Sequence, residues 1–556
     1  MKRNSLLILS ALALLIASCS KKGGKSGLMV PKDAAIVVHV NSASLSSKLS
    51  WAEISETNWF EEMSKEATDS LAQQLLKDPA SSGVDTKADL VFYMKKQGQG
   101  SYLVFEGSLT DAAAFEKMLK EIKKEDGGAE VKKDGDFSYM TSENEGLVLW
   151  NKSNFAYINN APLPDMKVAF EGSSRNEGHE FLQDSLRIFG KEALTLKGSD
   201  NLDTDSRFAE LVKNGSDVHL WANYGQYYQG MAVPFMNTDI LFKGNISTAS
   251  LNFDNGKIAV NSKQYYGDEM SKFLADYKAA PISADVINRI PSNNVVGVLA
   301  FNYPPKGLQQ FLKTLGVDGM ANGFLSKLNY SIDEFVKANK GEVILAVSDY
   351  TMATKQDTIV YGNGEKPYIY TSTKPDMKVL FATSVNDKAS FEKLITLAWE
   401  STKGMTEGMP AISYKLENNW FAASNSAEQT DKFLAGGNNK LPFVDKIAGH
   451  PIGMYLDLQK IIQTTAPTMG EDSSTKVAVD VSLKMWQDVV GSGGEYKDKS
   501  IEFTFDINLV DKSTNSLKQL NQYADKLAAL KGAERKRYEA DGQTDAPAVE
   551  AAPKEK

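Results

Sequence analysis

The only thiol in the chain is Cys19, which closes a short apolar run, Leu14-Leu15-Ile16-Ala17-Ser18-Cys19. A single cysteine cannot form an intramolecular disulfide, but its thiolate is a nucleophile that can accept an acyl group. Other reactive side chains are sparse. The four histidines are His39, His179, His219 and His450. His39 lies between Val38 and Val40 and His219 between Val218 and Leu220, so alternation turns each ring to the opposite strand face from its neighbours. Neither has a Cys, His or carboxylate at ligand spacing, and His-Glu-x-x-His and Gly-x-Ser-x-Gly are both absent. The sequence therefore names no catalytic residue, no metal ligand and no cofactor. Its candidate ligand-binding set is aromatic: Trp221, Tyr224, Tyr227 and Tyr228. On a helix, Trp221, Tyr224 and Tyr228 would share a face at i, i+3 and i+7, suited to stacking on a sugar or docking a partner.

The elements around Cys19 give it a context. Lys2 and Arg3 precede an apolar segment from Leu6 to Ile16, and the small residues Ala17 and Ser18 come next. These are the three zones of a secretory leader. The apolar segment falls short of the roughly 20 residues that a bilayer span needs. Ile16-Ala17-Ser18-Cys19 resembles the bacterial lipobox. That resemblance implies cleavage before Cys19 and acylation of the cysteine, with residues 1–18 as signal peptide and 19–27 as a polar tether. Ser20 at the following position implies delivery to the outer membrane. The tether carries Lys21, Lys22 and Lys25 and favours the periplasmic leaflet, while exposure at the cell surface stays open.

Behind the tether, 42% apolar and 24% charged residues describe a globular body. A net charge of −9 disfavours nucleic acid as a partner. The body contains an internal echo. Leu103-Val104-Phe105-Glu106-Gly107-Ser108-Leu109-Thr110-Asp111 matches Val379-Leu380-Phe381-Ala382-Thr383-Ser384-Val385-Asn386-Asp387, and Phe115-Glu116-Lys117 matches Phe391-Glu392-Lys393. Each copy reads as a strand, an aspartate able to cap a helix, and an amphipathic helix. Weaker echoes keep the same order. Pro31–Asn41 resembles Pro291–Asn302, the segments after Ser138 and Ser413 resemble one another, and Asp254–Tyr277 resembles Asp498–Tyr523. The expected fold is α+β with two tandem homologous halves, 28–283 and 284–530, each a mostly antiparallel sheet with helices packed on it. A helical insertion is expected over 160–215, a loop or hairpin over 350–376, and a disordered tail over 531–556.

The lipobox, a Pro-x-Asp-Ala-x-x-Val start at Pro31 to Val37 and the overall length together resemble an uncharacterised family of Bacteroidota lipoproteins of roughly 500 residues. The family is a domain of unknown function, so the resemblance implies class and location and adds no catalytic residue. The expectation is a membrane-anchored, non-enzymatic envelope protein with a protein or glycan partner. Two alternatives remain: a glycan or peptidoglycan hydrolase, which needs two facing carboxylates, and a structural envelope protein.

Overall fold

Runs such as Val295-Val296-Gly297-Val298-Leu299-Ala300-Phe301 and Val343-Ile344-Leu345-Ala346-Val347 are apolar at odd and even positions alike. They suit strands with little water on either face. In a computed structural model they form strands of one sheet. The structure describes residues 29–66, 75–76, 78–124, 130–141, 146–161, 180–228, 236–359, 368–402, 412–437, 439–470 and 472–540. The leader, Cys19 and the tether lie outside the described residues, as do 541–556.

The first ten strands are β1 (Ala34–Val40), β2 (Leu90–Gln97), β3 (Gly100–Ser108), β4 (Lys132–Asp134), β5 (Phe137–Thr141), β6 (Leu147–Trp150), β7 (Asn154–Asn160), β8 (Val218–Asn223), β9 (Ile246–Asp254) and β10 (Lys257–Tyr265). The other eight are β11 (Val295–Asn302), β12 (Asn339–Ile359), β13 (Tyr368–Val385), β14 (Ser413–Glu417), β15 (Trp420–Ser424), β16 (Ile452–Asp457), β17 (Trp486–Lys497) and β18 (Ser500–Leu509). Helices that bear on the site are α1 (Asn58–Glu66), α2 (Ala112–Lys124), α3 (Tyr224–Tyr227), α4 (Asp239–Phe242), α5 (Asp268–Asp276), α6 (Pro305–Leu315), α7 (Asp318–Ser326), α8 (Lys388–Thr402) and α9 (Ser516–Ala540).

The fold is α+β, and the 18 strands of the described residues join one antiparallel sheet. From edge to edge the order is β4-β5-β6-β7-β3-β2-β1-β8-β9-β10-β18-β17-β16-β11-β12-β13-β15-β14. The β10·β18 pair is the seam. Outward from it, one side reads 10-9-8-1-2-3-7-6-5-4 and the other 18-17-16-11-12-13-15-14, so the first side carries two strands more. Lys257 to Tyr265 pairs residue by residue with Asn508 to Ser500. Ion pairs reinforce the ladder between Lys257 and Asp506 and between Lys263 and Glu502, each at 2.9 Å.

Helices cross the seam. Phe273 of α5 lies 5.5 Å from Phe311 of α6, and Met270, Ile240 and Leu315 share one buried cluster there. At the opposite end α9 returns to α1, where Asn521 Oδ1 accepts from Trp59 Nε1 at 3.0 Å. Lys518 reaches Glu53 at 2.6 Å. That lysine, with the Ser50 backbone, holds the Glu53 carboxyl down at about 2.

The capping aspartates are where the sequence places them. Asp111 Oδ1 accepts from Ala113 N and Ala114 N at 2.8 and 3.0 Å, and Asp387 Oδ1 accepts from Ser390 N at 2.9 Å. Phe115 and Phe391, four residues on, are both buried. The described part of 160–215 carries helices Gln183–Leu194 and Ser206–Lys213, and 350–376 falls on the β12–β13 hairpin, whose 360–367 lie outside the described residues. One expectation is corrected: α9 continues to Ala540, so 531–540 is helix rather than tail. Its Ala, Lys, Glu and Arg are strong helix formers.

The β9–β10 turn locks the seam. Gly256 has φ +69°, and a Cβ there would sit 2.5 Å from Lys512 Cα. Gly256 N donates to Thr514 O, and Gly256 O accepts from Leu509 N. Gly256→Ala is expected to lower unfolding stability by about 2–3 kcal/mol, from left-handed strain plus a backbone clash. Gly98→Ala, at φ +59° with open space around it, should lose only about 1 kcal/mol. Denaturant titration of both variants checks the difference.

Candidate functional site

Alternation along each strand divides the sheet into two faces. One face carries the two largest core clusters, with Val298, Ala300, Ile344 and Ala346 in one and Val37, Val104 and Trp221 in the other. The residues between them point the other way and are just as apolar. One row can be followed from strand to strand by register. Tyr414 faces Ala423, which faces Phe381, then Leu345, then Leu299, then Met454. The row crosses Gly491 to Phe505, passes over the seam to Val260, and continues through Leu251 and Val218 to Val40.

The rows on either side are alike. One runs Val379, Val347, Gly297, Leu456, Val489 and Ile507. The other runs Thr383, Val343, Phe301, Ile452, Gly493 and Phe503. No carboxylate, amine, guanidinium or imidazole occurs in these rows. Phe505 lies across Gly491, so that a Cβ at Gly491 would meet its ring at 2.7 Å.

Helices pack on this face at both ends. At one end Phe115 of α2 packs on Trp150 and Phe155, and Val40 lies buried in the same cluster. At the other, Phe391 of α8 lies 5.3 Å from Phe421. Between them Leu299, Leu345, Phe381 and Phe505 are each 36–40% exposed. The result is an apolar trough with a helix at each end. From β13 to β8 it spans eight inter-strand gaps, about 40 Å at the usual strand spacing. The side rows run from β13 to β18, about 24 Å, so the part that is three rows and about 13 Å wide has an area on the order of 300 Å². The largest apolar patch on a typical monomer is about 300–600 Å² and is often functional.

The aromatic set expected to share one helical face is divided by the structure. Trp221 belongs to β8 and is buried, edge-on to Phe208 at 5.7 Å and beneath the Arg207 guanidinium. The helix begins only after it, where Asn223 Oδ1 accepts from Gln226 N at 3.2 Å. The spacing at Trp221 is therefore that of a strand. Tyr224, Tyr227 and Tyr228 stay together, half-buried at the end of β8. Tyr224 shares a hydrogen bond with Ser247 at 2.9 Å, and Tyr228 stacks on Phe242 of α4 at 4.3 Å.

Two polar groups lie on the core face. His39 and His219 are cross-strand partners on β1 and β8, both buried, with Nδ1 atoms 2.9 Å apart. His219 Nε2 lies 2.8 Å from Asn214 Oδ1. Donation there leaves Nδ1 to accept from His39, whose Nε2 lies 3.0 Å from Asp89. Sequence spacing could not reveal this pair, because 180 positions separate its members. Burial, and then the charge of His39, push His219 down to about 4. Glu106 on β3 is also buried, and desolvation raises its carboxyl well above the usual range against a hydrogen bond from Tyr93. His450 is half-exposed and pairs with Glu495 at 2.5 Å, while His179 lies outside the described residues. Among the described residues no three His, Cys, Asp or Glu are grouped to hold a metal ion, and no helix is long and apolar enough to cross a membrane.

The chain is thus an α+β protein built on one antiparallel sheet with an open apolar trough. It belongs to the family described as a domain of unknown function, DUF4836, which it matches over residues 28–433. No curated protein matches it. Among solved structures it is similar to crystal form I of TP0453, at 11% identity and a TM-score of 0.23, covering 46% of this chain and 88% of that one. Crystal form IV of the same protein gives 11% identity and a TM-score of 0.22, covering 45% and 85%.

His219 sets a pH dependence. Its folded value of about 4 lies below the ordinary histidine value of 6.5, so the unfolded chain binds the extra proton first. Its stabilising contribution is complete above pH 6.5 and is lost as pH falls towards 4, by on the order of 3 kcal/mol. Denaturant midpoints measured between pH 7.5 and 4 are expected to fall less steeply for His219→Gln than for the wild type.

Proposed function

We propose that the protein is a lipid-anchored lipoprotein of the bacterial envelope whose body binds an elongated apolar ligand, the acyl chains of a lipid-like amphiphile, in the trough. The observation that carries this reading is the uncharged apolar row from β13 to β8, open to solvent between α2 and α8. A glycan would need hydrogen-bonding groups to match its hydroxyls, and a glycosidase would need two facing carboxylates. The three rows offer neither. A hydrocarbon layer of about 30 Å holds two leaflets, so one acyl chain measures about 15 Å. The trough has room for two end to end.

The duplication expected from sequence gives the trough a simple origin. Two homologous halves, 28–283 and 284–530, would each contribute one side and one end helix. The matching strand order on both sides of the seam supports this, as do the paired caps Asp111 and Asp387. The anchor rests on Cys19 and its leader. Ser20 and the basic tether favour the periplasmic leaflet of the outer membrane.

Two experiments test the proposal. Metabolic labelling with a fatty-acid probe should mark the wild type and leave Cys19→Ala unmarked; equal labelling removes the anchor. A fluorescent long-chain fatty acid should bind the purified protein and be displaced by lysophospholipid. Leu345→Glu and Leu299→Glu, both at exposed positions, should each weaken binding at least about tenfold, equivalent to about 1.4 kcal/mol, with melting temperature little changed. Unaltered affinity in both variants removes the trough as the site.

A further inference from the structure

Helix α7 has no buried residue, although its sequence is Asp-Gly-Met-Ala-Asn-Gly-Phe-Leu-Ser. Met320 and Phe324, one turn apart on the same side, are 69% and 65% exposed. Leu328 just beyond the helix and Leu308 on α6 are exposed as well. Nothing lies within 4 Å of a Cβ built on Gly319 or Gly323. A short helix with this much apolar surface in water is unfavourable unless something covers it.

The helix is nevertheless held in place. Val317 at its start packs in the cluster of Ile240, Met270 and Leu315, and Asn322 Oδ1 accepts from Ile332 N at 3.2 Å.

Charge identifies the cover. Between residues 305 and 328 the charged side chains are Lys306, Lys313, Lys327 and Asp318. Three positive charges against one negative leave +2, in a chain whose total is −9. The three lysines are exposed. Exposed apolar side chains on a segment of net positive charge fit an anionic lipid surface. The anchored end of the chain is nearby. Met29 packs on the same cluster as Tyr265, and Tyr266, the next residue, belongs to the cluster that seats α7. Residues 19–27 add Lys21, Lys22 and Lys25 and reach about 30 Å when extended.

We infer that α7 is a second membrane contact: Met320 and Phe324 insert among the headgroups of an anionic leaflet while Lys306, Lys313 and Lys327 face its phosphates. The inference rests on the membrane-anchored reading above. It also orients the body, turning the end of the sheet that bears α5 and α6 towards the lipid.

The test uses the full acylated chain in vesicles of phosphatidylcholine and phosphatidylglycerol. Met320→Cys adds one free thiol for an environment-sensitive fluorophore, and Lys87→Cys, exposed at the opposite end of the sheet, is the control. The label at 320 should shift to the blue and lose emission to brominated lipid, while the label at 87 does neither. Adding Phe324→Asp should reverse the shift at 320. Protein recovered with the vesicles but with a label at 320 that behaves like the one at 87 overturns this inference alone. A blue shift that appears without vesicles as protein concentration rises also overturns it, in favour of a second copy of the chain. Protein not recovered with the vesicles overturns both this inference and the anchor.

Discussion

The structure depends on the ladder between β10 and β18. Without it there would be two separate sheets, each ending in an unpaired strand. With it, eighteen strands become one surface, and the row from Phe381 to Val218 becomes continuous. The helices follow the same logic. The helix after β10 packs on α6 from beyond the seam, and the helix after β18 packs on α1 from the other side. Each closing element therefore covers part of the neighbouring section, so neither section is complete on its own side of the ladder.

A second constraint follows from composition. An antiparallel sheet usually keeps one face for the core and gives the other to water, with polar residues alternating out. Here both faces are apolar across the middle strands. The core face has helices and the two large clusters against it. The opposite face has α2 at one end and α8 at the other. Apolar surface left open at mid-sheet costs solvation free energy that a bound hydrocarbon would recover.

Much of this was legible in the sequence at short range. The Asp111 and Asp387 caps, the buried Phe115 and Phe391, and the strand before each cap could be read because every partner lies within a few residues. The opposite facing of His39 and Val38 was legible for the same reason. The His39–His219 contact was not, since strand pairing across a long separation leaves no local trace. Trp221 was assigned helical spacing because Tyr224 and Tyr228 continue it; the switch from strand to helix turns on the side chain of Asn223, a single cap. The trough was hidden differently. Its runs were recognisable as strands, but whether both faces would be covered depends on where the helices dock, which the periodicity of the strands does not encode.

The order in which the chain is made gives β10 a further property. It emerges from the ribosome long before β18, and the partner atoms in the Lys257–Asp506 pair are 249 positions apart in sequence. Until then β10 is a bare edge, the kind of strand that recruits other chains. Its sequence, Lys257-Ile258-Ala259-Val260-Asn261-Ser262-Lys263-Gln264-Tyr265, sets a lysine near each end and Asn261-Ser262 between. The charges that keep the unfinished edge soluble are those that later meet Asp506 and Glu502, so the same side chains first repel wrong neighbours and then admit the right one.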